Sequence, residues 1–298
     1  MNIQKIINNK RVSRAMLGTS KEEFERLLPQ FEKVFIETKL SSPNRKHKVG
    51  QGVKGKLPTM EHKLFFTLFY LKVYPTFDVL GCFFDKGRSR SCKELHVYIA
   101  ILKKVLGREL VLPERKVTSM EELFERFPEM KDIFADGVER KVQRPISKKK
   151  QNKTYSGKKK IHAKKNVIVT NDKKKIIFLT PTKSARRHDK RLADKVSLFD
   201  YVPERIAVWV DTGFQGVLKQ HRNTLIPKKA TKGKPLTLRD KEENKIISSF
   251  RVVVEHAIAG IKRFGVVAQT LRNRKAHFDD LVMELSCGMW NLHLKVRN

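Results

Sequence analysis

KDIFAD, residues 131–136, is the stretch on which the fold turns. Ile133, Phe134 and Ala135 form an apolar run that reads as a short buried strand closed by Asp136, with Gly137 directly behind it. RIAVWVD, residues 205–211, repeats the pattern: an apolar run, then Asp211, then Thr212–Gly213. Upstream of residue 131 the chain reads as helices. Downstream, strands and helices alternate, so these two runs mark an α/β domain. Either aspartate alone reads as a turn residue closing a strand.

Between the two runs lies a very basic stretch, Arg140 to Lys175, with lysine clusters at 148–150, 158–160, 164–165 and 173–175. IHAKKNVIVT and KKKIIFLT carry Ile, Val and Phe at strand-like spacing around Asn171–Asp172. The pattern predicts a β-hairpin that is half core and half phosphate-facing. Further on, HDKRLADKVSLFD (188–200) predicts a helix and NTLIPKK (223–229) a short strand. A long helix follows from about Thr237, and a last one over 278–296.

The N-terminal part reads as all-helical. SKEEFERLLPQFEKVFIETKL (20–40) opens with Ser20 and Glu23 in capping-box spacing. A basic loop, NRKHKVGQGVKGK (44–56), leads to a helix over 59–74 that Pro75 ends. TFDVLGCFF makes a second, and SRSCKELHVYIAILKKVL a third, with Leu95, Ile99, Leu102 and Leu106 on one face. Three helices with short turns, the last rich in Arg88, Arg90, Lys93, Lys103 and Lys104, suggest a helix-turn-helix. A small accessory bundle would look the same. The expected division is 1–55 helical and basic, 56–112 helix-turn-helix, 113–130 a connector helix, and 131–298 the α/β domain.

Composition names the partner class. The 298 residues hold 65 Lys+Arg against 31 Asp+Glu, a formal charge of +34, yet 40% are hydrophobic. Such a chain has real cores and repels itself unless a polyanion neutralises it, which points to nucleic acid. LFFTLFYLKVY (64–74) is too short to span a bilayer, so no membrane is expected. The start, MNIQKIINNKR, lacks the apolar segment of a secretory leader. Three cysteines without CxxC spacing point to a reducing, intracellular setting and away from disulfides or structural zinc.

FRVVVEHAIAGIKRF (250–264) places Arg251, Glu255 and Lys262 four and seven residues apart, on roughly one helix face. Val252, Val253, Ile258 and Ile261 are expected to supply its core side. The face is either a solvated stripe or a carboxylate flanked by phosphate-holding cations. In a chain this basic, Asp136, Asp211 and Glu255 offer the oxygen ligands that Mg²⁺ prefers. Spacing alone leaves both readings open.

Several ordered motifs resemble one family, the DDE transposases of the insertion-sequence-5 group, over about residues 56–295. ADGVERKVQRP (135–145) resembles that group's first-aspartate motif and VDTGFQG (210–216) its second. YSGKKKIHAKKNVIV (155–169) resembles its basic hairpin, RRHDKRL (186–192) its His-Asp segment, and RVVVEHAIAGIKRF the motif of its glutamate. Related transposases carry a Tyr-x2-Arg-x3-Glu-x6-Lys signature; this chain matches from Arg251 through Glu255 to Lys262 but has Ser248 at the tyrosine position.

The resemblance implies an α+β chain in which a ribonuclease-H-like mixed sheet flanked by helices follows the helix-turn-helix. It implies Asp136, Asp211 and Glu255 as a catalytic, metal-binding triad for Mg²⁺ or Mn²⁺, two ions per site. DNA contacts would come from Arg251 and Lys262, from Lys158, Lys159, Lys160, Lys164 and Arg144, and from Arg88, Arg90 and Lys93. His188 and Asp189 are possible accessories. The implied partner is double-stranded DNA, both terminal inverted repeats and target, bound by a homodimer or higher oligomer in a prokaryotic cytoplasm or nucleoid. No nucleotide cofactor is implied. The competing readings are a stand-alone or domesticated Mg²⁺-dependent nuclease and a non-catalytic DNA-binding descendant.

Overall fold

The computed structural model describes residues 2–41, 55–157 and 159–297. Most of the basic loop expected at 44–56 falls outside them, as does Lys158. Two compact units are present: one formed by Met1–Leu112, Lys262–Gln269 and Asn291–Asn298, the other by Pro113–Ile261 and Thr270–Trp290.

The first unit opens with two short helices the sequence reading missed, α1 (Ile3–Asn8) and α2 (Lys10–Met16), each capped by an asparagine side chain. Then come α3 (Lys21–Leu40), α4 (Met60–Val73), α5 (Phe77–Phe83) and α6 (Arg88–Arg108). The capping box is formed: the Ser20 hydroxyl accepts from Glu23 N while the Glu23 carboxylate accepts from Ser20 N. Every residue of α4 from Leu64 to Leu71 is buried, as expected of a helix that is apolar all round and central to its bundle. Tyr74 ends it in the left-handed region at φ 53°. Phe66 meets the Phe84 ring edge-on at 4.9 Å and lies 6.2 Å from Tyr98. The predicted stripe Leu95, Ile99, Leu102 and Leu106 is wholly buried.

The second unit begins with α7 (Thr118–Arg126) and β1 (Asp132–Lys141), and continues through α8 (Lys148–Thr154), β2 (Tyr155–Ser156), β3 (Ile161–Asn171) and β4 (Ile176–Leu179). Next come β5 (Lys183–Ser184), α9 (Asp189–Asp194), β6 (Ala207–Val210), β7 (Thr224–Leu225) and α10 (Leu238–Lys262). α11 (Gly265–Ala268) lies in the first unit, and α12 (Phe278–Arg297) runs from the second into the first. Among the described residues no helix is long and apolar enough to cross a membrane.

The sheet runs β2-β3-β1-β6-β7, with β4 and β5 also paired to β3. β1 is antiparallel to β3 and parallel to β6, and β6 is parallel to β7. One face of β1 and β6, through Ile133, Ala135, Val208 and Val210, joins Val167, Leu192 and Phe214 in the core. On the other face Phe134 stacks on Trp209, and Trp209 on Phe250 of α10 at 4.6 Å. The chain is therefore α/β, a ribonuclease-H-like mixed sheet with flanking helices following N-terminal helices.

Several expectations need correction. β1 does not stop at Asp136 but runs on to Lys141, because β3 continues to pair with it; only the parallel ladder with β6 ends there, at Ala135–Val210. The helix expected over 188–200 is a six-residue α9 followed by turns, and the strand over 223–229 is two residues long. α10 buries Val254, Ala257 and Ile261, while Val252 is exposed. At about 100° per residue, Val252 points about 200° away from Val254. The lysine block 148–150 opens a helix, α8, with no buried residue.

Candidate active site

Asp136 and Asp211 follow directly on the last parallel pair, Ala135 and Val210, so they stand side by side where β1 and β6 part. That is the carboxyl edge of a parallel ladder, the usual position of ligand sites in α/β sheets. Each carboxylate is oriented by a backbone donor: Asp136 Oδ1 accepts from Gly137 N at 2.7 Å, and Asp211 Oδ1 from Gly213 N at 2.8 Å. Asp211 thereby caps the 3-10 turn Thr212–Phe214.

The pleat gives this edge two sides. Asp136 shares the face of Phe134, which packs towards α10, and there Arg251 Nη2 lies 3.2 Å from its Oδ2. Gly137 points to the opposite face, where Asp189 presses against it: a Cβ on Gly137 would stand 2.2 Å from Asp189 Oδ1. A Cβ on Gly213 would meet Asp189 Oδ2 at 2.9 Å and Asp211 Oδ1 at 2.8 Å. The two glycines beside the aspartates are thus required by a third carboxylate wedged between them. Asp189 is held by Lys165 at 3.1 Å, and Lys165 by Glu139 at 3.0 Å, with Lys165 and Glu139 almost fully buried. Glu139 also accepts from the Ser156 hydroxyl at 2.9 Å.

Burial disfavours the ionised carboxylate of Asp136 and pushes its pKa up to about 6; Arg251 opposes that shift, while Asp211 and Asp189 add to it. Asp189 is raised as well, again chiefly by burial, against the pull of Lys165. Burial works against the charge of Lys165, but Asp189 and Glu139 outweigh it and its pKa rises. The edge is therefore rich in partly compensated negative charge. It opens on a cavity of about 880 Å³ whose walls include Asp189, Asp211, His188, Arg144, Arg186 and Arg187. Two buried donors, Arg251 Nε and Arg187 Nη1, have no acceptor among the described residues.

The model of the DDE superfamily endonuclease family matches residues 135–291, a span that begins one residue before Asp136. The chain belongs to that family. Over 282 residues it is 28% identical to a probable transposase for insertion sequence element IS702 of Microchaete diplosiphon, covering 95% of this chain and 94% of that one. No solved structure matches it. The family implies nuclease chemistry with DNA as partner, and DDE superfamily members generally use divalent metals.

The donor chemistry of this DDE endonuclease fits such an ion. The crowded groups are carboxylate oxygens, and their mutual repulsion at Asp136 is what a hard cation would relieve. Among the described residues, no three His, Cys, Asp or Glu side chains stand close enough together to hold one ion. Glu255 is one turn beyond Arg251 on α10 and exposed, and Arg251 takes up Asp136 Oδ2.

The remaining residues singled out in the sequence divide clearly. Arg144, His188 and Asp189 reach the cavity. Lys159 and Lys160 are exposed on the turn before β3, and Lys164 ion-pairs with Asp279. Lys262 closes α10 and belongs to the first unit, whereas Arg251 and Glu255 belong to the second. Arg88, Arg90 and Lys93 are exposed on the first turns of α6, with Arg90 engaged by Glu94 at 3.0 Å. The Glu139–Lys165 bridge was missed. It depends on the register: antiparallel pairing of β1 with β3, which are separated in sequence by α8 and β2, sets Glu139 directly opposite Lys165.

Proposed function

We propose that this DDE endonuclease is a DNA transposase that binds the terminal inverted repeats of its insertion sequence, cuts the phosphodiester backbone and joins the released 3′ ends to target DNA. The observation that carries the reading is the placement of Asp136 and Asp211 side by side at the carboxyl edge of β1 and β6, with Arg251 reaching in from α10. Asp136, Asp211 and Glu255 would hold Mg²⁺ or Mn²⁺, two ions per site. Ions so held supply a water of lowered pKa and stabilise both attacking and leaving oxygens of an in-line displacement.

The protein's own groups bind and orient the DNA. Arg251 and Arg187 offer buried N–H donors to phosphate oxygens, and Arg144 and Arg186 add positive charge along the cavity wall. Lys159 and Lys160 are free to track the backbone from the turn before β3. Helices α4–α6 would read the terminal repeats as a helix-turn-helix, with Arg88, Arg90 and Lys93 at the groove. Cutting two ends together requires two copies on the DNA, so a dimer or larger assembly is part of the reading.

The test is an assay on labelled duplexes carrying the element's own ends, with Mg²⁺, Mn²⁺ or EDTA, scored separately for nicked product and for product joined to a target plasmid. A transposase gives both products, and only with a divalent ion. Cutting without joining would make the protein a nuclease; binding with neither would make it a DNA-binding descendant.

A further inference from the structure

A second groove, of about 810 Å³, lies beside the carboxylate cavity and is not needed to explain it. The two share Arg144. The wall between them is α8, seven residues of which none is buried and three are lysine at its start. Gln151 and Asn152 of α8 line the carboxylate cavity, while Lys150 and Lys153 line the groove. Arg144 Nη2 donates to Gln151 Oε1 at 3.1 Å, and Gln151 Nε2 donates to Pro145 O at 2.8 Å, which fixes the partition.

The floor of the groove is built and apolar. Val142, just beyond β1, bridges Leu271, whose N–H donates to Lys141 O at 2.9 Å. Pro145 and Ala276 add to it, and Ile146, 92% exposed, stands at its lip. Arg140, two residues before Val142, is 3% exposed and donates to Asp279 O at 2.7 Å, tying the start of α12 to β1. On the far wall are Arg274 and Lys275, both exposed. His277 sits there with φ 61°, a left-handed conformation that a non-glycine residue holds at a cost.

We propose that this groove binds an unpaired DNA strand leading away from the carboxylate cavity past Arg144. The proposal rests on the transposase reading for what lies in the cavity, but the groove's chemistry stands by itself. A duplex turns its phosphates outward and keeps its base faces stacked on one another, so those faces cannot lie on a floor of Val142, Pro145, Leu271 and Ala276. An unpaired strand offers base and sugar faces to that floor and phosphates to cations on either rim. Lys150 and Lys153 on one side and Arg274 and Lys275 on the other supply those cations. α8 then has a purpose that its lack of buried side chains leaves otherwise unexplained. It parts the reacting phosphodiester from the strand beyond it.

The experiment measures binding of a fluorescent oligothymidine and of a duplex of random sequence to the full chain without divalent ions. It compares wild type, Lys150→Glu/Lys153→Glu, Arg274→Glu/Lys275→Glu, and a control of equal charge change, Lys195→Glu/Lys219→Glu. Both groove variants are expected to weaken oligothymidine binding at least tenfold more than the control does, with duplex binding lowered no more than by the control. Circular dichroism verifies that each variant is folded. Ultraviolet cross-linking of 4-thiothymidine oligonucleotides to wild type, expected within residues 142–154 or 271–277, needs no variant. Equal loss of duplex and single-strand binding, losses no larger than the control's, or cross-links elsewhere would each overturn the proposal. None of these readouts involves cutting, so failure of the groove and failure of the transposase reading are separable.

Discussion

Asp189 was visible in the sequence as an acid in RRHDKRL, but nothing in the sequence placed it against Gly137. That contact makes a firm prediction. An extended strand accepts alanine readily, yet the Cβ of Gly137→Ala would collide with a carboxylate that Lys165 holds in place. A cost of about 1–3 kcal/mol is expected in urea unfolding. The cost should fall when Asp189→Ala is added, since the obstructing atoms are then gone; simple additivity of the two would show that the clash is not the cause. Lys165→Met leaves Glu139 and Asp189 buried against each other, and about 3–5 kcal/mol of destabilisation should follow. The raised pKa of Asp136 has a definite sign. The folded state holds that proton more tightly than the unfolded chain, so between about pH 4 and about pH 6 stability should fall as pH rises. In EDTA, the difference in unfolding free energy between wild type and Asp136→Asn should drop with that slope, on the order of 3 kcal/mol in all. A flat difference would mean that Asp136 ionises normally.

At the scale of elements, α10 tests how close packing competes with propensity. Alanine at Gly260 would gain about 1 kcal/mol in helix propensity. Its Cβ would also stand 2.2 Å from the ring of Trp290, which is anchored by its indole N–H on Lys174 O at 2.9 Å. Overpacking of this kind costs about 1–3 kcal/mol. Gly260→Ala should therefore lower the melting temperature by a few degrees, and a rise would show that Trp290 yields. The elements legible in the sequence were those with a strong local signal. The capping box at Ser20, the buried stripe of α6, the β3–β4 hairpin and the apolar run into Asp136 all carry their own periodicity or turn chemistry. The parts not legible depend on partners distant in sequence. β1 runs past Asp136 because β3 pairs with it, Val252 is exposed because α10 turns its other side inward, and α8 has no apolar face by which to be found. The aspartates themselves were legible as anomalies in a basic chain, whereas the Glu139–Lys165–Asp189 bridge needed the register between strands.

For the whole molecule, a formal charge of +34 predicts DNA binding dominated by counterion release. Affinity for any duplex should fall about 10³-fold or more between 50 and 200 mM salt, with Lys159→Ala reducing the log–log slope by about one if that lysine meets a phosphate. A weak salt dependence would show that the charge serves something other than the DNA backbone. Asp136 and Asp211 at the sheet edge and Glu255 on α10 are expected to perform the chemistry rather than hold the fold. Mg²⁺-dependent cleavage and joining of labelled DNA bearing the element's ends, wild type against Glu255→Gln, tests it most directly. Glu255→Gln is expected to be folded and to bind the DNA as wild type does but neither to cut nor to join it; full activity would reduce Glu255 to part of a solvated helix stripe and contradict the assignment of the site.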